Sequence, residues 1–208
     1  MISSLGPHTT TRIRWTRTRG RAYIYYGESN TNVDVTITGA NKDDNLGFSV
    51  SDAGNFNGDS YDDVIVGVPG YDSSNGRAYI YYGNDPMDNG IDVTLTGESA
   101  SGDKFGHSVS TAGNIDNDNY DDVVVGAPNN GAGGSNAGRV FIYYGESSAD
   151  AREEIMMTGV VVSSTGEQLG FAVSDAGDVN GDNYADVITG APYWTSNSGR
   201  IKLWGNPS

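Results

Sequence analysis

The apolar and polar positions of this 208-residue chain form a recurring pattern of short segments. The segment GRAYIYYG begins at Gly20, recurs unchanged at Gly76, and returns as GRVFIYYG at Gly138 and as the shorter GRIKLWG at Gly199. Each copy has the length of a strand and is rich in β-branched and aromatic residues, and no segment keeps a helical period. The recurrence therefore predicts repeated β-strands.

Three further segments recur in a fixed order around this one. LGFSVSDAG, FGHSVSTAG and LGFAVSDAG begin at Leu46, Phe105 and Leu169, a run ending in GVP or GAP follows each, and VDVTITG, IDVTLTG and EEIMMTG begin at Val33, Ile91 and Glu153. Four strands in each repeat of about 60 residues describe a blade of a β-propeller. A β-solenoid needs shorter and more uniform periods. The predicted fold class is therefore all-β, a β-propeller of four-stranded antiparallel blades.

A loop rich in carboxylates and amides lies inside each repeat. Oxygen-bearing side chains occupy positions 1, 3, 5 and 9 of the loop, and a tyrosine that offers its backbone carbonyl occupies position 7. Alternate spacing lets a tight loop direct several oxygens at one centre, as Ca²⁺ requires. The pattern predicts three Ca²⁺ sites with these candidate ligands: Asn55, Asn57, Asp59, Tyr61 and Asp63; Asn114, Asp116, Asp118, Tyr120 and Asp122; and Asp178, Asn180, Asp182, Tyr184 and Asp186.

Position 4 of the three loops holds Gly58, Asn117 and Gly181, residues that readily adopt a positive φ and so favour a sharp turn between ligands. An EF-hand is excluded, because the glycine at position 6, the glutamate at position 12 and the flanking helices are missing. Zinc is disfavoured, since the chain has no cysteine and two histidines. The alternative is that Asn, Asp and Gly simply form hairpin turns. Three loops in the same register favour calcium.

Composition narrows the class of function. The net charge of −15 argues against a basic surface for nucleic acid. No apolar run approaches the roughly 18 residues of a membrane span, and the first 20 residues lack the apolar core of a signal peptide. Millimolar calcium exists outside cells, so the loop chemistry favours an extracellular or cell-surface location, with any signal outside this chain.

The Phe-Gly or Leu-Gly pair, the acidic loop and the Gly-Ala-Pro together resemble the FG-GAP repeats of integrin α-subunit N-terminal propellers and their bacterial relatives, over roughly residues 20–205. The resemblance implies that strands A and B flank the acidic loop, that GRAYIYYG is strand C and that VTITG is strand D. It also implies a ligand-binding head of a cell-surface protein, acting in adhesion or recognition.

These strand assignments divide the chain into blades. We expect an atypical segment with at most a degenerate strand over 1–19, a partial blade of strands C and D over 20–45, blades over 46–97 and 105–159, and a partial blade of strands A to C over 169–208. Three to four blades are fewer than most closed propellers have. The expectation is therefore a partial, open-arc propeller that self-associates through its open blade edges or belongs to a larger ring.

The connectivity of such a blade places the A–B and C–D loops on one face and the B–C and D–A loops on the other. Residues 70–75, 129–137 and 193–198 vary in length and sequence, as binding loops on a rigid scaffold do. We therefore expect a protein or glycan ligand on the face opposite the calcium loops, with Tyr71, Tyr193 and Trp194 as its aromatic contacts.

Catalysis is disfavoured, because the acidic clusters are taken up by the repeated loops and no nucleophile elbow or histidine pair remains. The alternative is an accessory or catalytic propeller of a secreted, calcium-dependent polysaccharide-active enzyme. His107 stands where the other repeats have Phe48 and Phe171, which predicts a packing role. One shared structural role, such as an ion pair, is predicted for the arginines that follow the repeated glycine: Arg21, Arg77, Arg139 and Arg200.

Overall fold

The computed structural model describes residues 19–27, 34–98, 102–147, 153–162, 165–194 and 199–204. The described residues are nearly all strand, loop or turn, and the strands form four packed antiparallel sheets and one small hairpin. The predicted N-terminal segment, except Arg19, and residues 195–198 of the last variable loop lie outside the described residues. Among the described residues no helix is long and apolar enough to cross a membrane.

Each packed sheet takes its strands in chain order, so neighbouring strands are joined directly. The first sheet has two strands, β1 (Arg21–Ile24) and β2 (Val35–Thr38). The second has four, β3 (Ser49–Gly54), β4 (Asp63–Val68), β5 (Arg77–Tyr81) and β6 (Val93–Leu95). A single turn, α1 (Tyr71–Ser74), joins β4 to β5, and its Asp72 and Ser73 have left-handed backbone angles.

The third and fourth sheets repeat this order. The third sheet consists of β7 (Ser108–Gly113), β8 (Asp122–Ala127), β9 (Arg139–Tyr143) and β10 (Glu153–Thr158). A hairpin of β11 (Val161–Val162) and β12 (Thr165–Gly166) follows, and the fourth sheet consists of β13 (Ala172–Gly177), β14 (Asp186–Ala191) and β15 (Arg200–Trp204). These meanders confirm the all-β class and the partial propeller.

The sheets pack face to face, and the three inner strands β3, β7 and β13 contact one another in sequence. We call the face of a sheet that points to the following sheet its front, and the opposite face its back. The front of the second sheet buries Ile65, Ala78 and Ile80 against Phe141 and Tyr143 on the back of the third. Alternating side chains along each strand thus serve two different interfaces, which explains the apolar character of the central strands.

Glycines permit the closest contacts between sheets. A Cβ atom on Gly67 or on Gly126 would lie 2.1 Å from the carbonyl oxygen of Gly106 or of Gly170, the glycines of the next Phe-Gly or Leu-Gly pair. Hydroxyl groups beside them donate hydrogen bonds to the same oxygens, from Ser49 Oγ at 2.9 Å and from Ser108 Oγ at 2.8 Å. The repeated Phe-Gly or Leu-Gly pair therefore packs on the previous sheet and is hydrogen-bonded to it.

Candidate metal centre

The three acidic loops connect the first and second strands of the second, third and fourth sheets. Each loop follows a bulge at the end of the first strand, where Gly54, Gly113 and Gly177 have φ of 62°, 62° and 64°. At position 4, Gly58, Asn117 and Gly181 have φ of 78°, 62° and 80°. The predicted left-handed turn is confirmed at all three.

Side chains at positions 1 and 3 converge on one backbone N–H in every loop. The N–H of Asp59 donates to Asn55 Oδ1 at 3.0 Å and to Asn57 Oδ1 at 2.9 Å. Corresponding bonds join the N–H of Asp118 to Asn114 Oδ1 and Asp116 Oδ1, both at 3.1 Å, and the N–H of Asp182 to Asp178 Oδ1 at 3.1 Å and Asn180 Oδ1 at 2.9 Å. The sequence spacing therefore brings the two side-chain oxygens to one side of the loop.

The carboxylate at position 5 belongs to the same arrangement. Its Oδ1 accepts from the N–H of the tyrosine at position 7, at 2.8 Å in Asp59, 2.7 Å in Asp118 and 3.0 Å in Asp182. In the first and third loops the amide of Asn57 or Asn180 also donates to its Oδ2 at 2.9 Å. The ligand role of the tyrosine carbonyls at Tyr61, Tyr120 and Tyr184 remains a prediction.

The aspartate at position 9 lies beneath each loop and is 1% exposed in Asp63, Asp122 and Asp186. One oxygen accepts from the backbone of position 2: Phe56 N–H at 3.0 Å, Ile115 N–H at 2.7 Å and Val179 N–H at 2.8 Å. Gly83 and Gly145 donate to the second oxygen of Asp63 and Asp122 at 2.8 and 2.9 Å. Burial raises the pKa of Asp63 to about 6 and that of Asp122 to about 7, against the opposing effect of these donors.

No described lysine or arginine neutralises these buried carboxylates, because the ion pairs among the described residues involve Glu98 and Glu167. Nor does the described part of the chain gather three acidic, histidine or cysteine side chains closely enough to hold a metal by themselves. Each loop thus presents a mixed set of amide and carboxylate oxygens. Such hard oxygen donors suit Ca²⁺ and do not suit zinc.

Neighbouring loops are linked in a way that sequence reasoning missed. Asp121 Oδ2, at position 8 of the second loop, accepts from the N–H of Asn55, at position 1 of the first, at 2.8 Å. The backbones also meet, since Asp121 N–H donates to the Asn55 carbonyl at 3.2 Å and Ala185 N–H to the Asn114 carbonyl at 3.1 Å. The sequence signal of the side-chain contact lies at position 8, which holds aspartate in the first two loops, Asp62 and Asp121, and alanine in the third, Ala185.

The variable loops lie at the other end of the strands, against the segments that precede the Leu-Gly or Phe-Gly pairs. Gly70, Asn129 and Tyr193 donate backbone hydrogen bonds to the carbonyls of Asp44, Asp103 and Glu167. The side chains of these three acidic residues are buried. An acidic residue two positions before each Leu-Gly or Phe-Gly was a repeat that the sequence analysis overlooked.

The three aromatic candidates for ligand contact differ in how far other side chains cover them. The Arg77 guanidinium lies 3.8 Å from the Tyr71 ring centre, and the Arg200 guanidinium lies 3.6 Å from that of Trp194. Tyr193 is 41% exposed. The ion pair predicted for the repeated arginines is formed by Arg139 with Glu98 at 2.6 Å and by Arg200 with Glu167 at 2.5 Å. Arg77 and Arg200 have a second feature in common, which is packing on an aromatic ring.

Comparison with known proteins agrees with this repeated architecture. The family model described as FG-GAP repeat matches residues 48–81, 105–143 and 172–204, one match for each acidic loop. The chain belongs to the FG-GAP repeat family. Integrin alpha-5 of Xenopus laevis is 33% identical over 157 residues, integrin alpha-8 of Gallus gallus 34% over 161, and integrin alpha-PS2 of Drosophila melanogaster 35% over 159.

These FG-GAP matches cover most of this chain and little of the relatives. They include 70%, 73% and 74% of the chain but 14%, 14% and 11% of the integrin subunits. Phosphatidylinositol-glycan-specific phospholipase D of Bos taurus is 32% identical over 161 residues, which include 71% of the chain and 19% of the phospholipase. The chain therefore spans only a small part of the length of each of these relatives.

Proposed function

We propose that this chain is a calcium-binding, non-catalytic recognition module that acts outside the cell. The observation that carries the proposal is the common hydrogen-bonding of the three loops, in which the oxygens of positions 1 and 3 meet at the N–H of position 5. A buried aspartate underlies each loop, and no described arginine or lysine forms an ion pair with it. Buried carboxylates are stable when paired with a cation, and a bound metal would supply one.

In each loop the side chains at positions 1, 3, 5 and 9, with the carbonyl at position 7, would hold one Ca²⁺. The bound ion supplies positive charge that offsets repulsion between the carboxylates. The third loop offers three carboxylates, Asp178, Asp182 and Asp186, whereas the first offers two, Asp59 and Asp63. Because ligand charge raises calcium affinity, we expect the third loop to bind more tightly than the first.

Calcium at these loops would stabilise the scaffold. A site with a Kd of about 10⁻⁴ M in about 1 mM calcium adds roughly 1.4 kcal/mol to the free energy of unfolding. Three such sites contribute a substantial share of a total that is typically about 5–15 kcal/mol. Sites of this affinity are occupied where calcium is millimolar, as it is outside cells. The expected affinity therefore supports an extracellular or cell-surface setting.

The ligand face is the end of the sheets opposite the calcium loops. There the loops at 70–75 and 129–137 pack on the segments that carry Asp44 and Asp103. Tyr193 is the aromatic side chain best placed to contact a protein or glycan, because Tyr71 and Trp194 are each covered by an arginine. The integrin relatives support a protein ligand and adhesion.

A second function is favoured by one comparison. The similarity to part of a phospholipase D suggests an accessory propeller that accompanies an enzyme. A recognition module should bind a ligand as the isolated 208-residue chain, whereas an accessory propeller of that kind should show binding only together with its catalytic partner domain.

The calcium sites are tested by isothermal titration of the wild type, of Asp59→Ala and of Asp62→Ala. Asp62 neighbours the site in the same loop and is exposed, so its substitution removes the same charge without removing a ligand. We expect Asp59→Ala to lose one calcium ion and Asp62→Ala to keep all three. No uptake of calcium by the wild type would overturn the proposal.

The ligand is sought by screening glycan and matrix-protein arrays with and without EDTA. Binding that is lost with EDTA and with Tyr193→Ala, but kept by the exposed control Ile91→Ala, supports recognition at the proposed face. Binding lost with Asp59→Ala alone, at full thermal stability, would place the ligand at the calcium loops instead.

A further inference from the structure

The front of the fourth sheet is apolar, and no other described part of the chain covers it. Ile201 and Leu203 are 69% and 55% exposed. Their register partners are Gly190 and Ile188, so they occupy the positions of Ala78 and Ile80 in the second sheet and of Val140 and Ile142 in the third. Those four equivalents are all 0% exposed, because the following sheet covers them. The fourth sheet thus presents the surface that the others bury.

A cavity of about 540 Å³ marks the centre of this surface, lined by Phe171, Ala172, Gly190, Gly199 and Arg200 among others. Its glycines are the equivalents of those that receive the next Phe-Gly or Leu-Gly pair. A Cβ on Gly126 would lie 2.1 Å from the Gly170 carbonyl, whereas the nearest atom to one on Gly190 is the Ala172 Cβ at 3.8 Å. The fourth sheet therefore has, beside Gly190, the recess that the Gly170 carbonyl fills beside Gly126, and this recess is accessible to a partner.

The back of the first sheet presents the matching surface at the other end. Tyr23 and Tyr25 are 48% and 56% exposed, while Tyr79 and Tyr81 at the same positions in the second sheet are 8% and 1% exposed. In the third sheet the same positions hold Phe141 and Tyr143, which pack on the front of the second sheet. The two open surfaces are thus the two halves of an interface that the chain already forms within itself.

We propose that a second copy of this chain docks head to tail, placing its Tyr23 and Tyr25 against Ile201 and Leu203 of the first copy. The contact is heterologous, so two copies can close on each other or longer rows can form. Two copies bring together twice the four packed sheets that the structure describes, and this number lies within the range of closed propellers. The inference rests on the sheet interfaces and does not depend on calcium.

Charge sets the conditions for this association. Each copy carries −15, which opposes approach at low ionic strength. The exposed Arg19 and Arg21 place positive charge beside Tyr23, at the end that must meet an acidic partner. We therefore expect association to strengthen as sodium chloride is raised from low to physiological concentration, because screening reduces the overall repulsion more than it weakens an apolar contact.

The test is light scattering coupled to size exclusion, across a wide range of protein concentration at physiological salt. Wild type should shift from monomer to dimer or larger species. Ile201→Asp and Tyr25→Asp should each weaken self-association by about tenfold or more, and Ile91→Asp, an exposed control outside both surfaces, should not. A wild type that stays monomeric throughout would overturn the proposal.

Mixing separates head-to-tail docking from other contacts. Ile201→Asp keeps an intact Tyr25 surface and Tyr25→Asp keeps an intact Ile201 surface, so an equimolar mixture should form a dimer that neither variant forms alone. A front-to-front contact would instead be lost with Ile201→Asp only and would not be restored by mixing.

Cross-linking gives an independent readout if either variant folds poorly. The chain has no cysteine, so Leu203→Cys and Tyr25→Cys introduce single thiols. Oxidation of their mixture should yield mainly the mixed disulfide dimer. A statistical yield, with the mixed dimer making up about half of the product and the two homodimers about a quarter each, would contradict the proposed pairing.

Discussion

The imidazole ring of His107 lies against the phenyl ring of Phe48, with 4.9 Å between ring centres and 50° between planes. On its other side Phe171 lies at the same separation, 4.9 Å. These three residues occupy the same position in successive repeats, so the inner strands bring equivalent side chains into a single row. This row confirms the packing role predicted for His107.

His107→Phe should make the protein more stable, increasingly so in acid. Burial lowers the pKa of His107, and its buried Nδ1 has no hydrogen-bond partner among the described residues. When folding lowers the pKa of a histidine, the protein loses stability as the pH falls from the ordinary pKa of that group to the lowered one. Over this range the unfolded chain takes up the proton more readily than the folded protein does. The melting-temperature difference between variant and wild type should therefore widen from pH 8 to pH 5. A constant difference would contradict this reading.

Asp182→Ala should remove one calcium ion and lower the melting temperature at millimolar calcium by several degrees, since about 1.4 kcal/mol of linked binding is lost. The same substitution also removes hydrogen bonds to Tyr184 and Asn180. The scan is therefore repeated in EDTA, where the difference between variant and wild type should shrink. An undiminished difference would assign the effect to the loop alone.

Removing calcium from the wild type should lower the melting temperature more than any change in ionic strength restores. Mass action takes away roughly 1 kcal/mol for each emptied site, whereas salt weakens only the repulsion between exposed charges. Thermal scans in EDTA with increasing sodium chloride measure the two effects separately. Full recovery in sodium chloride would favour general charge repulsion over specific sites.

Asp121→Ala should weaken calcium binding in the first loop, although Asp121 belongs to the second. Its carboxylate fixes the N–H of Asn55, and loss of such a bond costs about 1 kcal/mol, or about fivefold in affinity. Titration in a background of Asp118→Ala and Asp182→Ala leaves the first loop as the single site. Asp62→Ala is the matched control, because Asp62 holds the same position in the first loop. Equal affinities in the two variants would rule out the link.

Gly126→Ala should destabilise the protein by about 1–3 kcal/mol, because the new methyl group would overlap the Gly170 carbonyl and force two sheets apart. Gly190→Ala is the control at the same repeat position, with no atom closer than 3.8 Å to the added Cβ. Its effect on monomer stability should stay within about 0.5 kcal/mol. Urea unfolding of both variants makes the comparison.

The fold and the acidic loops could be predicted because each depends on residues close together in the chain. Alternation defines a strand, and positions 1, 3, 5 and 9 define a loop, whatever lies beside them. The link between Asp121 and Asn55 joins different repeats, and the packing of Arg77 on Tyr71 joins a strand to a variable loop. Such contacts depend on how one sheet sits on the next, which a repeat pattern does not specify.

The turn at Tyr71–Ser74 shows the same limit. Asp72, Ser73 and Ser74 all have positive φ, of 44°, 57° and 69°. Aspartate tolerates this conformation as a single residue, but local propensity argues against three consecutive left-handed residues of which two are serines. The surrounding loops must impose it, and the sequence carries no separate sign of this.

The open front of the fourth sheet also determines how the molecule unfolds. Each described sheet is held by the sheets beside it, so stability is a sum of sheet terms and nearest-neighbour terms. β15 can detach after losing one interface, whereas β8 must lose two. Amide hydrogen exchange should therefore be graded along the row, fast at its two ends in β1 and β15 and slowest in β4 and β8. A closed ring has no terminal unit at which such fraying can begin, so joining the two ends would turn gradual unfolding into a cooperative one.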